Sequence, residues 1–511
     1  MSKLKIASIL FLLSTFFLKF SSMIRDIVIS GLYGDSYMAD AYFAAMTIPN
    51  AIVLFMLTGM KDAFLPSYYK YDRLGKGFSH LTNIVKGTFW ISAGISVIGA
   101  AASPWMVKIL YPEFAHFEQG IQIAAWTAAI YFLSIALVGV NAVYEGYFDS
   151  QRKFSFSTFS QTIVVLTTIL FALIFHKSLS IYAVPLGYLA GTFLSFLVKL
   201  FYMTPPKLLA WRQRMDMLEI RQFYWIFIPV GLTIAVGQIN LTVNMLYASR
   251  LGEGVVSNLN YAFRLVNIPQ AIFGVTIATI IYPILAKAKS EGDSGLFKQG
   301  MERGLSFMFL FLAPTVIGMM MLMESIVRLT YERGAFTESA TALTSEYALF
   351  YIGSVLFYSI QAVVAKGFYT LEKGHYMMRV GMLSVVINIF SNYILAKLMG
   401  PAGLALSTSI VGFIYSAITF TTLYKISGGF NLKYIGKEYA KIIAAAVLMY
   451  AGLTGLGIMV TPEKWGDIPY LAIMIAAGAL LYFAGLYLLR AASLFQLLSR
   501  GGKEKSSKTG D

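Results

Sequence analysis

Apolar runs long enough to cross a bilayer recur along almost the whole 511-residue chain. No other feature restricts its fold so tightly. A spanning helix needs roughly 20 mostly apolar residues. Hydrocarbon offers no partner to backbone N–H and C=O groups, so such runs must be helical. Fourteen are read, at 6–31, 37–64, 80–108, 118–147, 155–176, 181–203, 221–249, 258–286, 300–325, 342–370, 376–398, 402–425, 438–460 and 468–490. Composition agrees: 13% of the residues are charged, against about 25% in an ordinary soluble domain. The expected fold class is all-α, a polytopic membrane protein.

The net charge of +15 is read as topology rather than as affinity for nucleic acid, because Lys and Arg collect in cytoplasmic loops. With the N-terminus inside, the inner loops hold Lys70, Arg73 and Lys76, then Arg152 and Lys153, then Lys207, Arg212 and Arg214. Further inner loops hold Lys287, Lys289 and Lys298, then Lys373 and Arg379, then Lys433 and Lys437. The outer loops keep fewer cations. An even span count puts both termini in the cytoplasm. The polar, basic stretch 205–219 reads as a linker between an N-lobe (1–204) and a C-lobe (220–427). Two appended spans follow (428–494), then a charged tail (495–511) that is expected to be disordered.

An internal repeat supports the two lobes. Ala41–Ile52 contains Ile48-Pro49-Asn50, and Tyr261–Ile272 contains Ile268-Pro269-Gln270; each leads through an apolar stretch to a second proline, Pro66 or Pro283. Asn141-Ala142-Val143 before Gly146-Tyr147-Phe148 pairs with Gln361-Ala362-Val363 before Gly367-Phe368-Tyr369 at nearly the same offset. Six spans per lobe is an even number, so the lobes insert as parallel repeats, an arrangement common in alternating-access transporters.

Charges within spans carry the chemistry, since a central Lys or Arg costs roughly 2.5–3.5 kcal/mol to insert. Three cations qualify: Lys19 and Arg25 in the first span and Arg264 in the eighth. They suit an anion, and the Arg fork suits phosphate. The bland alternative is that they snorkel or pair locally with Asp26 and Asp40. Arg25 and Asp26 are sequence neighbours, so their side chains are expected to diverge around the helix. Asp40 reads as a gate or ion-pair partner, or else as a solvated helix end. Glu145 reads as solvated near an inner helix end. Pro49 and Pro269 read as kinks or as hinges. Asn244, Asn388, Asn392 and Thr408 form a polar set that reads as interhelical hydrogen-bond glue or as a weak ion site. There is no cysteine, and the four histidines are scattered. No metal site, organic cofactor or nucleotide-binding loop is expected, and the chain reads as a transporter rather than an enzyme.

The residues Arg25-Asp26, Gly34, Asp40-Ala41-Tyr42-Phe43, Ile48-Pro49-Asn50 and Ala63-Phe64-Leu65-Pro66 resemble the MurJ family of lipid II flippases in the MOP exporter superfamily. So do Ala248-Ser249-Arg250-Leu251-Gly252-Glu253-Gly254, Tyr261-Ala262-Phe263-Arg264-Leu265, Glu332-Arg333-Gly334-Ala335-Phe336 and Ala402-Gly403-Leu404-Ala405. The resemblance implies a V-shaped pair of lobes around a cationic cavity, and a groove for a polyprenyl tail on the last two spans. It places Arg25, Asp40 and Arg264 on functional positions, and Lys19 where the family has Arg. Val53 and Leu54 stand where the family usually has two arginines, and Thr58-Gly59 where it has Glu-Gly, with Lys61 as a partial substitute. The expected substrate is lipid II, a polyprenyl-pyrophosphate-linked glycan; the alternatives are another polyprenyl-linked glycan or, as for other exporters of the superfamily, a drug. The expected setting is a bacterial plasma membrane, as a monomer associated with the wall-synthesis machinery. The driving force is left open between the membrane potential, H+ and Na+.

Overall fold

The computed structural model describes residues 3–151, 153–203 and 213–497. The described residues are helical throughout, with no strand among them. The first half runs α1 (Lys3–Tyr33), α2 (Tyr37–Asp72), α3 (Gly77–Leu110), α4 (Gly120–Ser150), α5 (Phe154–Leu179), α6 (Ala183–Val198) and α7 (Met217–Ala248). Then come α8 (Val255–Pro269), α9 (Thr276–Ser290), α10 (Ser294–Tyr331), α11 (Glu338–Thr370), α12 (His375–Met399) and α13 (Pro401–Ile426). The chain closes with α14 (Leu432–Gly457), the short α15 (Pro462–Trp465) and α16 (Asp467–Leu488). Each of the fourteen expected spans falls on a helix, the eighth on α8 and α9 together. Eleven helical stretches among the described residues are long and apolar enough to cross a membrane. One of them, 155–201, holds both α5 and α6.

The chain divides into two compact units. The first comprises Met1–Ser257 with Arg333–Thr337, the second Asn258–Glu332 with Glu338–Asp511. In the first unit α6 lies close to α5, because a Cβ on Gly187 or Gly191 would come within 2.9 Å of the Thr168 or Val164 Cα. Small residues let membrane helices approach this closely. Helix α7 packs on α2: a Cβ on Gly59 would meet the Phe227 ring at 2.9 Å and the Gly231 Cα at 3.1 Å. At the start of α7, Asp216 caps the helix, accepting from the backbone N–H of Leu218 and Glu219. Glu219 in turn bonds the buried His80, whose other ring nitrogen bonds Ser67. The beginning of α7 is thus tied to α2 and α3.

In the second unit α14 and α16 pack on α10 through Leu310, Ala313, Ile442, Met449 and Leu486. The Tyr482 hydroxyl donates to the Leu310 carbonyl at 2.6 Å. Their other faces carry exposed Val447, Leu448 and Leu480, as lipid contact demands. The expected disordered tail lies outside the described residues from 498 onward. So do residues 205–212 of the expected linker.

The repeat is visible as geometry within each unit. Helix α2 is continuous through Pro49 and Pro66. Its repeat mate is interrupted: α8 ends at Pro269 and passes through a π-helical turn, Gln270–Val275, into α9. A π turn re-registers the backbone bonds that a proline frees.

Candidate functional site

Helix α1 brings Lys19 and Arg25 into the first unit. Lys19 is exposed and makes no ion pair among the described residues. Arg25 is 22% exposed. Its Nε and Nη2 donate to Asp26 Oδ1 at 3.1 and 2.9 Å. The expectation that these neighbours diverge is therefore corrected: the long Arg side chain folds back around the helix and spans the roughly 100° between successive residues. Nη1 makes no hydrogen bond among the described residues, so one edge of the guanidinium stays open beside the pair. In the same unit the Tyr42 hydroxyl of α2 and the Tyr131 hydroxyl of α4 bond each other at 2.9 Å.

Asp40 is not solvated; it is 2% exposed. Nor is its partner a cation. It accepts from the Gly254 N–H at 2.6 Å and from the Ser257 N–H and hydroxyl at 2.7 Å each. The first turn of a helix leaves N–H groups without intrahelical partners and carries partial positive charge. Asp40 satisfies that end of α8. Glu253 returns the favour, accepting from the Tyr37 N–H at 3.0 Å where α2 begins. The two repeat-related helices thus start by capping each other with carboxylates. Gly254 makes the turn possible: its φ is +80°, and a Cβ there would come within 3.0 Å of the Asp35 carbonyl oxygen. The same region around Gly34 explains two more quoted motifs. Ala335 donates to the Gly31 carbonyl at 2.8 Å. Gly34, with φ +56°, lies where a Cβ would meet the Ala335 carbonyl at 2.3 Å.

In the second unit Arg264 is half-buried, and its Nε donates to Asn260 Oδ1 at 2.6 Å. Asn388 and Asn392 are buried, the latter donating to the former at 3.4 Å. Thr408 donates to its own helix at the Leu404 carbonyl. Asn244 belongs to the first unit. Among the described residues no group of three or more His, Asp or Glu is placed to hold a metal.

Two readings of the first unit change. Glu145 is 1% exposed, not solvated. It pairs at 2.9 Å with Lys199, also sealed from solvent. Lys199 lies inside the expected span 181–203, four residues from its end. The available signal was Glu145 itself, since two opposite charges in neighbouring spans invite pairing. Lys61 gives its charge to Asp149 at 3.0 Å. Val53 is buried and Leu54 half-buried on α2, so neither position supplies a cation.

A family model described as "Lipid II flippase MurJ" matches residues 29–476. The chain belongs to the MurJ family. Arg264 and Asp40 fall inside the matched region, and Lys19, Arg25 and Asp26 precede it. Among curated MurJ relatives, the lipid II flippase MurJ of Burkholderia cenocepacia is 25% identical over 495 residues, covering 92% of this chain and 94% of that one. The probable lipid II flippase MurJ of Vibrio cholerae is 28% identical over 470 residues, 87% of each. A solved MurJ structure in an inward closed conformation superposes with a TM-score of 0.79 at 23% identity, covering 94% of this chain and 99% of that one. An inward-facing multidrug resistance MATE transporter of the MOP superfamily gives 0.67 at 12% identity, with 82% and 98% covered. These two likenesses show the polytopic helical fold that MurJ shares with the wider superfamily.

Proposed function

We propose that this chain is a flippase moving lipid II, a polyprenyl-pyrophosphate-linked glycan, from the inner to the outer leaflet of a bacterial plasma membrane by alternating access. The observation that carries the reading is the MurJ match over 29–476. It makes the protein a transporter rather than an enzyme. Lys19, Arg25 and Arg264 are the residues proposed to bind the diphosphate. Arg25 is the best placed of them, because a guanidinium edge remains open beside its Asp26 pair. An Arg can hold two phosphate oxygens at once. Both termini are placed in the cytoplasm on the distribution of basic loops. The membrane potential supplies about 2.3 kcal/mol per charge per 100 mV to a cycle that moves net charge.

The test is depletion of the protein in its own cell. Arrest of wall synthesis, with the lipid-linked intermediate trapped in the inner leaflet, is the expected result. A second reading, transport of a different polyprenyl-linked glycan, is favoured by apolar Val53 and Leu54, which remove two cations from the family pattern. It predicts normal wall synthesis with loss of another surface glycan, and that outcome overturns the first reading.

A further inference from the structure

Where α3 meets α4, the first unit carries a cavity of about 630 Å³ that the flippase proposal does not use. Sites for small molecules span roughly 300–1,000 Å³. Helical spacing builds its two walls. Ala100, Pro104 and Lys108 recur every four residues and share one face of α3; Gln122, Ala125 and Ala129 share one face of α4. The alanines hold the walls apart. Just beyond Ala100 the helices close up, since a Cβ on Gly99 would come within 2.1 Å of the Phe132 ring. From Ala100 to Lys108 α3 rises about 12 Å, so the groove runs along the helix axes.

The two ends of the groove differ in chemistry. The end at Ala100 and Ala129 is apolar. The other end gathers Lys108, Gln119 and Gln122, all exposed. None of these three makes a side-chain hydrogen bond or an ion pair among the described residues. Helix α4 also begins there: Gln119 is its N-cap residue but makes no side-chain cap bond, and no acid stands in the first turn. Such a helix start keeps N–H groups and partial positive charge available to an anion. No carboxylate lines the cavity. Glu113, in the connection between the helices, lies 3.5 Å from His116 instead. Ile98 and Ile109 are exposed on α3, as lipid contact demands. Trp105 beside the groove and Trp126 on its α4 wall are 67% and 56% exposed; tryptophan concentrates at the level of lipid headgroups.

We propose that this groove binds one anionic glycerophospholipid of the surrounding bilayer. An acyl chain lies along Ala100, Pro104, Ala125 and Ala129, and the phosphodiester sits at Lys108, the Gln119 and Gln122 amides and the start of α4. Two features select that occupant. The groove runs lengthwise along two spanning helices, as lipid chains do. Its cation and its donors stand at one end only, which matches an apolar chain joined to an anionic head. A zwitterionic head adds an ammonium that Lys108 repels, so the site prefers a net negative lipid. Bound there, the lipid bridges α3 to α4 and stabilises the first unit by mass action. The site uses none of Lys19, Arg25 and Arg264 and does not depend on the flippase reading.

The test adds dioleoyl phosphatidylglycerol or dioleoyl phosphatidylcholine to the purified full chain in detergent and counts bound lipids by native mass spectrometry. Wild type should hold one phosphatidylglycerol several-fold more tightly than phosphatidylcholine. Lys108→Ala should lower that preference about fivefold, the worth of one lysine beside an anionic headgroup. Lys177→Ala, at another exposed lysine of the first unit, should leave it unchanged. Equal loss in both variants, or no preference in wild type, overturns the site. A phosphatidylglycerol carrying a photoreactive diazirine on one chain should label peptides from 97–132 ahead of those from the lipid-facing α12 and α16; even labelling overturns the groove. Ala125→Leu and Ala129→Leu each fill part of one wall and should each reduce the labelling; the pair of variants guards against misfolding of either. Undiminished labelling in the folded variants overturns the placement of the chain. Displacement of the lipid by millimolar inorganic phosphate, or a second copy of the protein bound in place of lipid, overturns the lipid as occupant.

Discussion

Two ion pairs in the first unit have the same N–O separation, 2.9 Å, and opposite characters. Arg25–Asp26 joins neighbours on one helix and is partly open, at 22% and 9% exposure. Glu145–Lys199 joins α4 to the end of α6 and is closed, at 1% each. The bond length says nothing about what each pair does; its environment does. An open pair with a spare guanidinium edge can take a ligand anion. A sealed pair, with both side chains 1% exposed, offers a ligand no open edge and instead ties two helices together. Lys61–Asp149, at 27% and 13%, stands between them.

Breaking each pair tests this contrast. The largest effect is expected from Lys199→Met alone, which strands a buried carboxylate. A loss of about 3–5 kcal/mol is expected, with most of it recovered in Glu145→Gln/Lys199→Met; thermal unfolding of the detergent-solubilised protein measures both. If the single and double variants melt together, the pair is not sealed as described. Arg25→Ala should act on transport instead, lowering the flipping rate in proteoliposomes at least tenfold, which is about 1.4 kcal/mol. Arg25→Lys should fall between, because an ammonium keeps charge but lacks the fork. A normal rate in Arg25→Ala would remove it from the binding set. Asp40→Asn should cost about 1 kcal/mol, the usual worth of a helix N-cap, with amide exchange accelerated at Gly254 and Ser257. The smallest change is expected for Lys61→Met, below about 1 kcal/mol, because its partly exposed pair is screened by solvent. A melting shift as large as that of Lys199→Met would erase the ranking by burial.

Hydropathy and the repeat were enough to place the fourteen helical segments, the all-α class and the relation between α2 and α8–α9. Each is a local property of the chain: a run is apolar or not whatever lies beside it, and the bilayer imposes helix on all of them. The quoted motifs were legible as a family signature, but their purposes were not. Gly34 and Gly254 are needed because a neighbouring carbonyl lies where a Cβ would stand. Asp40 serves backbone N–H groups more than two hundred residues away rather than any cation. Glu145 read as solvated, and Lys199 went unnoticed among the residues of an apolar span. Which helix faces meet, and which charges they enclose together, depends on packing between segments distant in sequence. Helical periodicity fixes which residues share a face and leaves the partner of that face to the tertiary structure.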